Sequence, residues 1–243
     1  MQALLDGDIV AYSNAASAEN DPVEVAYMRI DQMVHSILDT VNAQTFRIFL
    51  SGSNNFRHEI NPEYKANRKD MVDPKWRKLC KEYLVREWEA EVTDGYEADD
   101  ALGINQRKRA YEDGHPLYQE ETIICTIDKD LDMIPGWHYS WPIVRGGAVV
   151  REGKIYEVSE IDGIKSFYRS LLVGDRTDNI FGVDGIGKVK AAKAIDHLET
   201  EEEMFDRVAE LYNGDMDRML VNGKCLWIMR EEGKQWESPF ARK

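Results

Sequence analysis

The sequence predicts an α/β fold built around a mostly parallel central sheet. Three segments with the composition of buried strands, residues 3–12, 45–50 and 121–127, alternate with segments of helical periodicity. Strands that alternate with helices form βαβ units, whose crossovers leave the strands parallel. The 243 residues suffice for one large domain, or a domain with a small appendage, whose core needs no disulfide or structural metal.

The cysteine content and the N-terminal residues narrow the class of protein. Cys80, Cys125 and Cys225 form no CxxC pair and are odd in number, which indicates neither a disulfide framework nor a zinc site. Two aspartates precede any signal-peptide core, and no apolar run approaches the roughly 20 residues of a membrane span. We therefore expect a cytosolic protein with no membrane partner.

The first predicted elements are a strand, a helix and a second strand. Residues 3–12 read ALLDGDIVAY, an apolar run interrupted by Asp6, which suits a buried parallel strand ending in a functional loop. Apolar residues recur at helical spacing from 23 to 38, and residues 45–50 form the next strand. Ligands of such sheets collect at the carboxyl ends of the strands, where Asp6 lies.

The segment between the second and third strands is basic, although the chain carries a net charge of −14. Residues 57–86 contain nine Lys or Arg against five Asp or Glu, and Pro62 and Pro74 stand near the starts of two predicted helices. Nucleic-acid binders carry such local positive faces. The acidic total therefore does not exclude a polyanionic partner.

Beyond the third strand, short β pieces are followed by helices. Residues 143–145 and 148–151 are predicted strands flanking a Gly-containing turn, and residues 161–173 read as a helix. Helical stretches continue from residue 201 onward. The helix at 161–173 leads into the segment with the strongest functional signal.

That segment, residues 174–188, reads GDRTDNIFGVDGIGK and joins two aspartates to a glycine-punctuated hairpin. Asp175 and Asp178 are three apart, so at the start of a helical turn both point the same way and can share a hard cation. Glycines let a phosphate approach free N–H groups, although the segment alone is equally well a surface turn with helix-capping aspartates. The hairpin glycines are Gly182, Gly185 and Gly187, and the lysines that follow are Lys188, Lys190 and Lys193.

Three further acidic motifs fall at predicted strand ends or helix starts. Asp128 and Asp130 lie just beyond the third strand and two residues apart, so extended geometry puts both on one side. Each motif alone is explained by a helix cap or a solvated turn, but four motifs on one α/β sheet favour a cation site. The eight candidate carboxylates are Asp6, Glu97, Asp99, Asp100, Asp128, Asp130, Asp175 and Asp178.

The ligand chemistry predicts which cation and which reaction. Oxygen ligands without histidine or cysteine favour Mg²⁺ or Mn²⁺ over zinc. Two such ions about 4 Å apart can clamp a phosphodiester, activating water on one side and stabilising the leaving oxygen on the other. Hydrolysis of a nucleic acid is the predicted reaction.

The ordered motifs LLDGD, FRHEINPEYKANRK, YEADD, TIDKDLD and GDRTDNIFGVDGIGK resemble the flap endonuclease and 5′ to 3′ exonuclease family. They span residues 3 to about 196, and the likeness is strongest to phage-encoded members and to the 5′-nuclease domain of bacterial DNA polymerase I. The resemblance implies a PIN-like nuclease core at 1–173, with a helical arch at about 57–90. It also implies a helix-hairpin-helix element of the H3TH type, with C-terminal helices packed on the core, at 174–243.

The resemblance also implies roles for single residues. The eight carboxylates match the family's metal ligands, and Asp6, Asp128 and Asp130 count as catalytic together with Lys65 and Arg68. These two cations would meet the scissile phosphate and offset its developing charge. The implied DNA-binding residues are Arg57, Tyr64 (stacking on a base or packing the arch), Lys65, Arg68, Lys69, Gly182, Gly185, Gly187, Lys188 and Lys190.

The implied cofactors are two Mg²⁺ or Mn²⁺ ions, with K⁺ at the hairpin. The implied partners are DNA with a 5′ flap, nick or free 5′ end, or an RNA primer, together with replication proteins. The chain would act as a monomer in the cytoplasm, that of the host if it is phage-encoded. One departure concerns the metal site, because family members commonly carry an aspartate just after the second strand, where this chain has Leu50, Ser51, Gly52 and Ser53.

Two alternatives belong to other functional classes. Asp6-Gly7-Asp8 matches the nucleophile loop of haloacid-dehalogenase-like phosphatases, in which Asp6 would be phosphorylated. A non-catalytic DNA-binding replication scaffold would use only the hairpin and the basic segment. Neither alternative accounts for the clustered carboxylates.

Overall fold

The computed structural model describes residues 1–107, 111–112, 115–116 and 121–238. Its strands, numbered in chain order, are β1 Gln2–Asp6, β2 Thr45–Leu50, β3 Glu91–Val92, β4 Tyr111–Glu112, β5 His115–Pro116, β6 Thr122–Cys125, β7 Gly136–Ser140, β8 Ile143–Arg145, β9 Ala148–Arg151, β10 Lys154–Val158, β11 Gly174–Asp175 and β12 Ile180–Phe181. Its α-helices are α1 Gly7–Ser17, α2 Val23–Val41, α3 Arg57–Ile60, α4 Arg77–Trp88, α5 Ala98–Arg107, α6 Glu160–Val173, α7 Lys188–Ile195, α8 Glu201–Leu211 and α9 Met216–Leu226. Short 3₁₀ helices cover Ala66–Asp70 and Asp130–Met133.

A six-stranded sheet of order β10-β7-β6-β1-β2-β3 forms the centre of the molecule. The pairs β1–β2, β1–β6, β6–β7 and β2–β3 are parallel, and β10 runs antiparallel to β7. The predicted α/β class with a mostly parallel sheet is confirmed. The prediction that β1 ends in a loop is wrong, because α1 begins at Gly7, directly after the last residue of the strand.

Alternation along β1 divides the core into two layers. Ala3 and Leu5 pack with α1, α2 and α4 on one face, whereas Leu4 packs with α5 and α6 on the other. This period of two is what a strand covered on both faces produces. The C-terminal helices bury Met204 and Met219 in the same layer as Leu4, so they share one continuous core with the sheet.

The predicted helical arch at about 57–90 falls on helices α3 and α4, the 3₁₀ helix Ala66–Asp70 and the stretches that join them. Helix α4 buries Cys80 and Leu84 in the layer that also contains α1 and α2, so it is part of the core. The exposed basic part is the stretch between α3 and α4, which runs over the carboxyl ends of the strands. We call residues 61–76 the covering segment.

The C-terminal third begins with α6, which leads into a tight two-stranded hairpin of β11 and β12 and then into α7. Asp175 lies in β11 and Asp178 in the turn before β12, so the condition of a helical turn, under which both carboxylates would point the same way, is not met. The predicted C-terminal part at 174–243 extends past the described residues, since 239–243 lie outside them. Among the helices that the structure describes, none is long and apolar enough to cross a membrane.

Candidate metal and nucleic-acid site

Asp6 lies at the carboxyl end of β1, the strand at the middle of the parallel sheet. Its carboxylate accepts hydrogen bonds from the Ile9 backbone N–H at 3.1 Å and the Thr126 hydroxyl at 2.8 Å. The first bond caps helix α1, and the second connects β1 to the end of the neighbouring strand β6. Burial, together with the nearby carboxylates of Asp8 and Asp128, raises the pKa of Asp6 to about 7.

Asp128 and Asp130 follow β6 and form a turn, not the extended pair that was predicted. Asp128 Oδ1 accepts the Asp130 backbone N–H at 2.9 Å, and Asp130 begins a 3₁₀ helix. Burial is the main cause that raises the pKa of both carboxyls, that of Asp130 to about 7, and their mutual repulsion adds to it for Asp130. Both side chains still line the same cavity as Asp6.

Asp99 and Asp100 are neighbours in the first turn of α5 but have different surroundings. Burial, followed by the charges of Asp6 and Asp128, raises the pKa of Asp99 well above its usual value. Asp99 therefore belongs to the group of repelling carboxylates. Asp100 is fully buried and does not line the cavity that contains Asp6 and Asp99.

Asp100 forms a bidentate ion pair with Arg57, at 2.6 and 2.8 Å. Its two oxygens also accept the backbone N–H groups of Glu97 and Met229, which uses the acceptor capacity of a carboxylate. The prediction of Asp100 as a metal ligand is therefore wrong in this structure.

Arg57 is 2% exposed and donates further hydrogen bonds to the backbone oxygens of Cys225 and Trp227. Burial opposes its charge, but Asp100 outweighs burial and raises the pKa of Arg57. The predicted contact of Arg57 with DNA is contradicted, because its donors tie α3 and α5 to the end of α9.

Three residues of the covering segment reach the carboxylates. The Lys65 ammonium pairs with Glu97 and lies 3.6 Å from Asp178, and Arg68 pairs with the other oxygen of Asp178. The Tyr64 hydroxyl lies 3.0 Å from Glu97 and 2.8 Å from Asp178. Burial and those two carboxylates raise the pKa of Tyr64, so its hydroxyl stays protonated as a donor.

Tyr64 is 2% exposed, so of its two predicted roles the structure supports packing and not stacking on a base. Lys65 and Arg68 lie at the wall of the site, and their contact with a scissile phosphate stays a prediction. Lys69 is exposed on the same segment and contacts none of these carboxylates in the described structure.

A cavity of about 580 Å³ gathers the predicted carboxylates other than Asp100. It contains Asp6, Glu97, Asp99, Asp128, Asp130, Asp175 and Asp178, with Lys65 and Arg68 on its wall. A second cavity of about 610 Å³ shares Glu97, Asp99, Asp130, Asp175 and Asp178 and extends towards α6 and α7. The carboxylates therefore lie between two open spaces.

The donor set fits hard divalent cations. The ligands are all carboxylate oxygens, and the pKa of Asp6 and of Asp130 is raised first by loss of hydration and then by neighbouring carboxylates, a cost that a bound cation would offset. Within the described chain, no three His, Cys, Asp or Glu side chains stand close enough to form a ready-made ion cage. Binding of an ion thus requires carboxylates to turn inward, including those now paired with Lys65 and Arg68.

The hairpin glycines have three different environments. Gly182 is buried, and a Cβ there would lie 2.3 Å from the Leu172 backbone oxygen, which contradicts its predicted contact with DNA. Gly185 has φ +74° in an open turn, and Gly187 is exposed with free space around it. Gly185 and Gly187 therefore keep their predicted availability to a phosphate.

The hairpin lysines also differ. Lys188 is exposed at the start of α7 and lines the 610 Å³ cavity. The Lys190 ammonium donates to the Gly185 carbonyl at 2.8 Å, so it braces the turn as well as adding positive charge.

Asp8 was not among the predicted ligands, yet it lines the same cavity as Asp6. Its Oδ2 accepts the Ser51 backbone N–H at 2.9 Å, and its Oδ1 lies 2.8 Å from the Lys81 ammonium. The spacing of the DGD motif was the available signal, since a helix that begins at Gly7 turns Asp8 towards the end of β2.

A parallel α/β sheet whose strand ends meet at a cluster of carboxylates, beneath Lys65 and Arg68 and beside a helix-hairpin unit, defines an enzyme-like site that can take divalent cations and a phosphate group. The model of the 5′-3′ exonuclease, N-terminal resolvase-like domain matches residues 3–136, more than half of the chain. The chain belongs to this family, as its motifs predicted.

Relatives and solved structures agree with this assignment. DNA polymerase I of Bacillus caldotenax is 30% identical over 178 residues, covering 67% of this chain and 19% of the polymerase. The thermostable DNA polymerase I of Thermus caldophilus is 28% identical over 221 residues, covering 84% of this chain and 25% of the polymerase. The chain thus spans a quarter or less of these polymerases.

The fold is shared with the T5 D15 protein co-crystallised with metal ions, at TM-score 0.65 and 19% identity, covering 93% of this chain and 89% of that one. A T5 D15 flap endonuclease complex with DNA and metal ions aligns with TM-score 0.60 and 19% identity, covering 91% and 89%. The predicted α/β fold is therefore shared with these two structures.

Proposed function

We propose that this protein is a structure-specific 5′ nuclease that hydrolyses DNA phosphodiesters as a 5′ to 3′ exonuclease and flap endonuclease. The observation that carries the proposal is the convergence of carboxylates from β1, α5, the β6 turn and the hairpin in one cavity beneath Lys65 and Arg68. Family membership supports the reaction class. The same membership speaks against the phosphatase alternative.

Asp6, Glu97, Asp99, Asp128, Asp130, Asp175 and Asp178 would hold two Mg²⁺ or Mn²⁺ ions. When bound, such ions supply activated water and stabilise the leaving oxygen. Side chains of the protein position the phosphate and the carboxylates. Lys65 and Arg68 exchange their carboxylate partners for the scissile phosphate and offset its negative charge. The buried Tyr64 hydroxyl hydrogen-bonds to Glu97 and Asp178 and limits how far these two carboxylates move when an ion binds.

The DNA is proposed to approach along two surfaces. Duplex binds at the exposed turn of Gly185 and Gly187 with Lys188 and Lys190, where K⁺ is a further proposed ligand, and the 5′ strand passes beneath the covering segment. The proposed division at residues 173 and 174 places the duplex-binding turn in the C-terminal part, whose first residues also supply Asp175 and Asp178 to the metal site. DNA with a 5′ flap, nick or free end, or an RNA primer, is the proposed substrate, and replication proteins are proposed partners.

Cleavage of a 5′ flap substrate tests the proposal. The substrate carries one label at the 5′ end and a second label inside the strand, and it is incubated with Mg²⁺ or with chelator. We expect cuts near the junction only with Mg²⁺, leaving 5′-phosphate and 3′-hydroxyl ends, and no cuts by Asp128→Asn. Binding without cleavage in Mg²⁺ would favour the scaffold alternative.

A further inference from the structure

The end of β2 is where the sequence lacks an expected carboxylate, and the structure brings one there from another element. Gly52 has no room for a side chain, because a Cβ would lie 2.2 Å from the Thr93 backbone oxygen. Ser51 uses its hydroxyl to accept the Ala98 backbone N–H at 2.9 Å, at the start of α5. The Asp8 carboxylate lies at this strand end, where it accepts the Ser51 backbone N–H at 2.9 Å.

Close packing of α1 on β2 places Asp8. A Cβ at Gly7 would lie 2.6 Å from the Phe49 backbone oxygen, so a glycine is needed for the first helical turn to approach the strand. The next residue then reaches over the strand end, where the Ser51 backbone N–H donates to Asp8 Oδ2. The position of Asp8 follows from backbone packing and not from a flexible surface contact.

Lys81 fixes the second oxygen of Asp8. Its ammonium donates to the Ser51 carbonyl at 2.8 Å and lies 2.8 Å from Asp8 Oδ1. The contact with Oδ1 is an ion pair outside hydrogen-bond geometry, and Oδ1 is buried without a hydrogen-bond partner in the described structure. A carboxylate oxygen in that state retains lone pairs for another ligand.

The same carboxylate belongs to the cavity of the other acids. Asp8 lines the 580 Å³ cavity together with Asp6, Asp99 and Asp128. It is also close enough to Asp6 to contribute to the raised pKa of that residue. Asp8 thus lies at the edge of the acidic cluster that faces β2.

We propose that Asp8 is an additional carboxylate ligand of the divalent-metal site, and that Lys81 and the Ser51 amide are the groups that position it. This inference rests on the proposed function, because it names a further ligand at the same site. The chain would thereby supply from α1 the carboxylate that Ser51 does not provide. Lys81 lowers the cost of holding another negative charge among the repelling carboxylates.

Metal binding without DNA tests the proposal independently of catalysis. Mn²⁺ titrations, followed by electron paramagnetic resonance, compare the wild type with Asp8→Asn, Asp73→Asn and the double variant Asp8→Asn/Ser51→Asp. Asp73 lines the outer part of the same cavity and pairs with Arg77, so it is a matched control. We expect Asp8→Asn to weaken one ion by about 10- to 100-fold, the double variant to recover most of this loss, and Asp73→Asn to bind as the wild type.

Locating bound Mn²⁺ in crystals of the wild type tests the proposal even if a variant fails to fold. Crystals of the wild type soaked in Mn²⁺ should give an anomalous peak within about 2.5 Å of Asp8 Oδ1. Wild-type affinity in Asp8→Asn, or a Mn²⁺ peak bound only by the other carboxylates, would overturn the inference. A wild type that binds Mn²⁺ but does not cut DNA would instead refute the proposed function and leave Asp8 as a ligand.

Discussion

Asp99 and Asp100 show how two adjacent carboxylates acquire opposite energetic roles. Asp100 neutralises a buried guanidinium, whereas Asp99 is half-buried, and loss of hydration followed by the charges of Asp6 and Asp128 raises its pKa. The first interaction stabilises the fold when both groups are charged. The environment of Asp99 lowers the stability of the metal-free protein, and a bound cation would remove this unfavourable contribution.

Replacing either residue by asparagine should therefore change stability in opposite directions. Asp100→Asn leaves the Arg57 charge buried and should lower the free energy of unfolding by about 3 kcal/mol. Asp99→Asn removes repulsion and should raise it in metal-free protein. Urea denaturation in chelator measures both, and equal losses in the two variants would contradict the distinction.

Lys65 and Lys69 allow a similar comparison for catalysis. Lys65 contacts the carboxylates, while Lys69 is exposed on the same segment. Lys65→Ala should slow single-turnover cleavage about 100-fold, as removal of a charge-stabilising donor does, with little change in DNA affinity. Lys69→Ala should weaken affinity and leave the single-turnover rate unchanged. A normal rate in Lys65→Ala would remove it from the catalytic residues.

At the scale of elements, the sequence predicted the parallel strands and long helices because their apolar periodicity is regular. It could not predict that α4 packs against α1 and α2, since Cys80 and Leu84 lie in a mostly polar helix. Sequence reasoning also missed the pairing of Arg57 with Asp100. Arginine and aspartate occur both in buried ion pairs and in solvent-facing binding sites, so the residue types alone do not separate the two cases. Seven of the eight predicted carboxylates nevertheless lie in one cavity, since strand ends of a parallel sheet meet at one edge.

The hairpin yields a prediction for two glycines that sequence reasoning treated alike. Gly182→Ala forces a methyl group against the Leu172 carbonyl and should cost about 1–3 kcal/mol of stability, as overpacking does. Gly187→Ala meets open space, so its melting temperature should match the wild type, but the methyl group should hinder approach of a phosphate and weaken duplex binding. Calorimetry and fluorescence anisotropy separate the two effects. If both variants bound duplex DNA as tightly as the wild type, the turn would be excluded as a DNA contact.

At the scale of the whole molecule, the acidic site links stability to pH and to metal. An unfolded aspartate has a pKa near 4, whereas burial raises the pKa of Asp6, which is 2% exposed, to about 7. Between these values the folded state holds protons that the unfolded state has released. Their contribution to stability is therefore full below about pH 4 and is lost as pH rises through 7.

The melting temperature of the wild type in chelator should accordingly fall more steeply between pH 5 and 7.5 than that of Asp6→Asn, which has no proton to lose at this position. Excess Mg²⁺ should reduce the fall in the wild type, because a cation replaces the protons as the partner of the carboxylates. Asp39→Asn, a change at an exposed position on α2, should keep the slope of the wild type. Identical slopes for the wild type and Asp6→Asn would show that Asp6 ionises normally in the folded protein, and the pH dependence would then have to come from other groups.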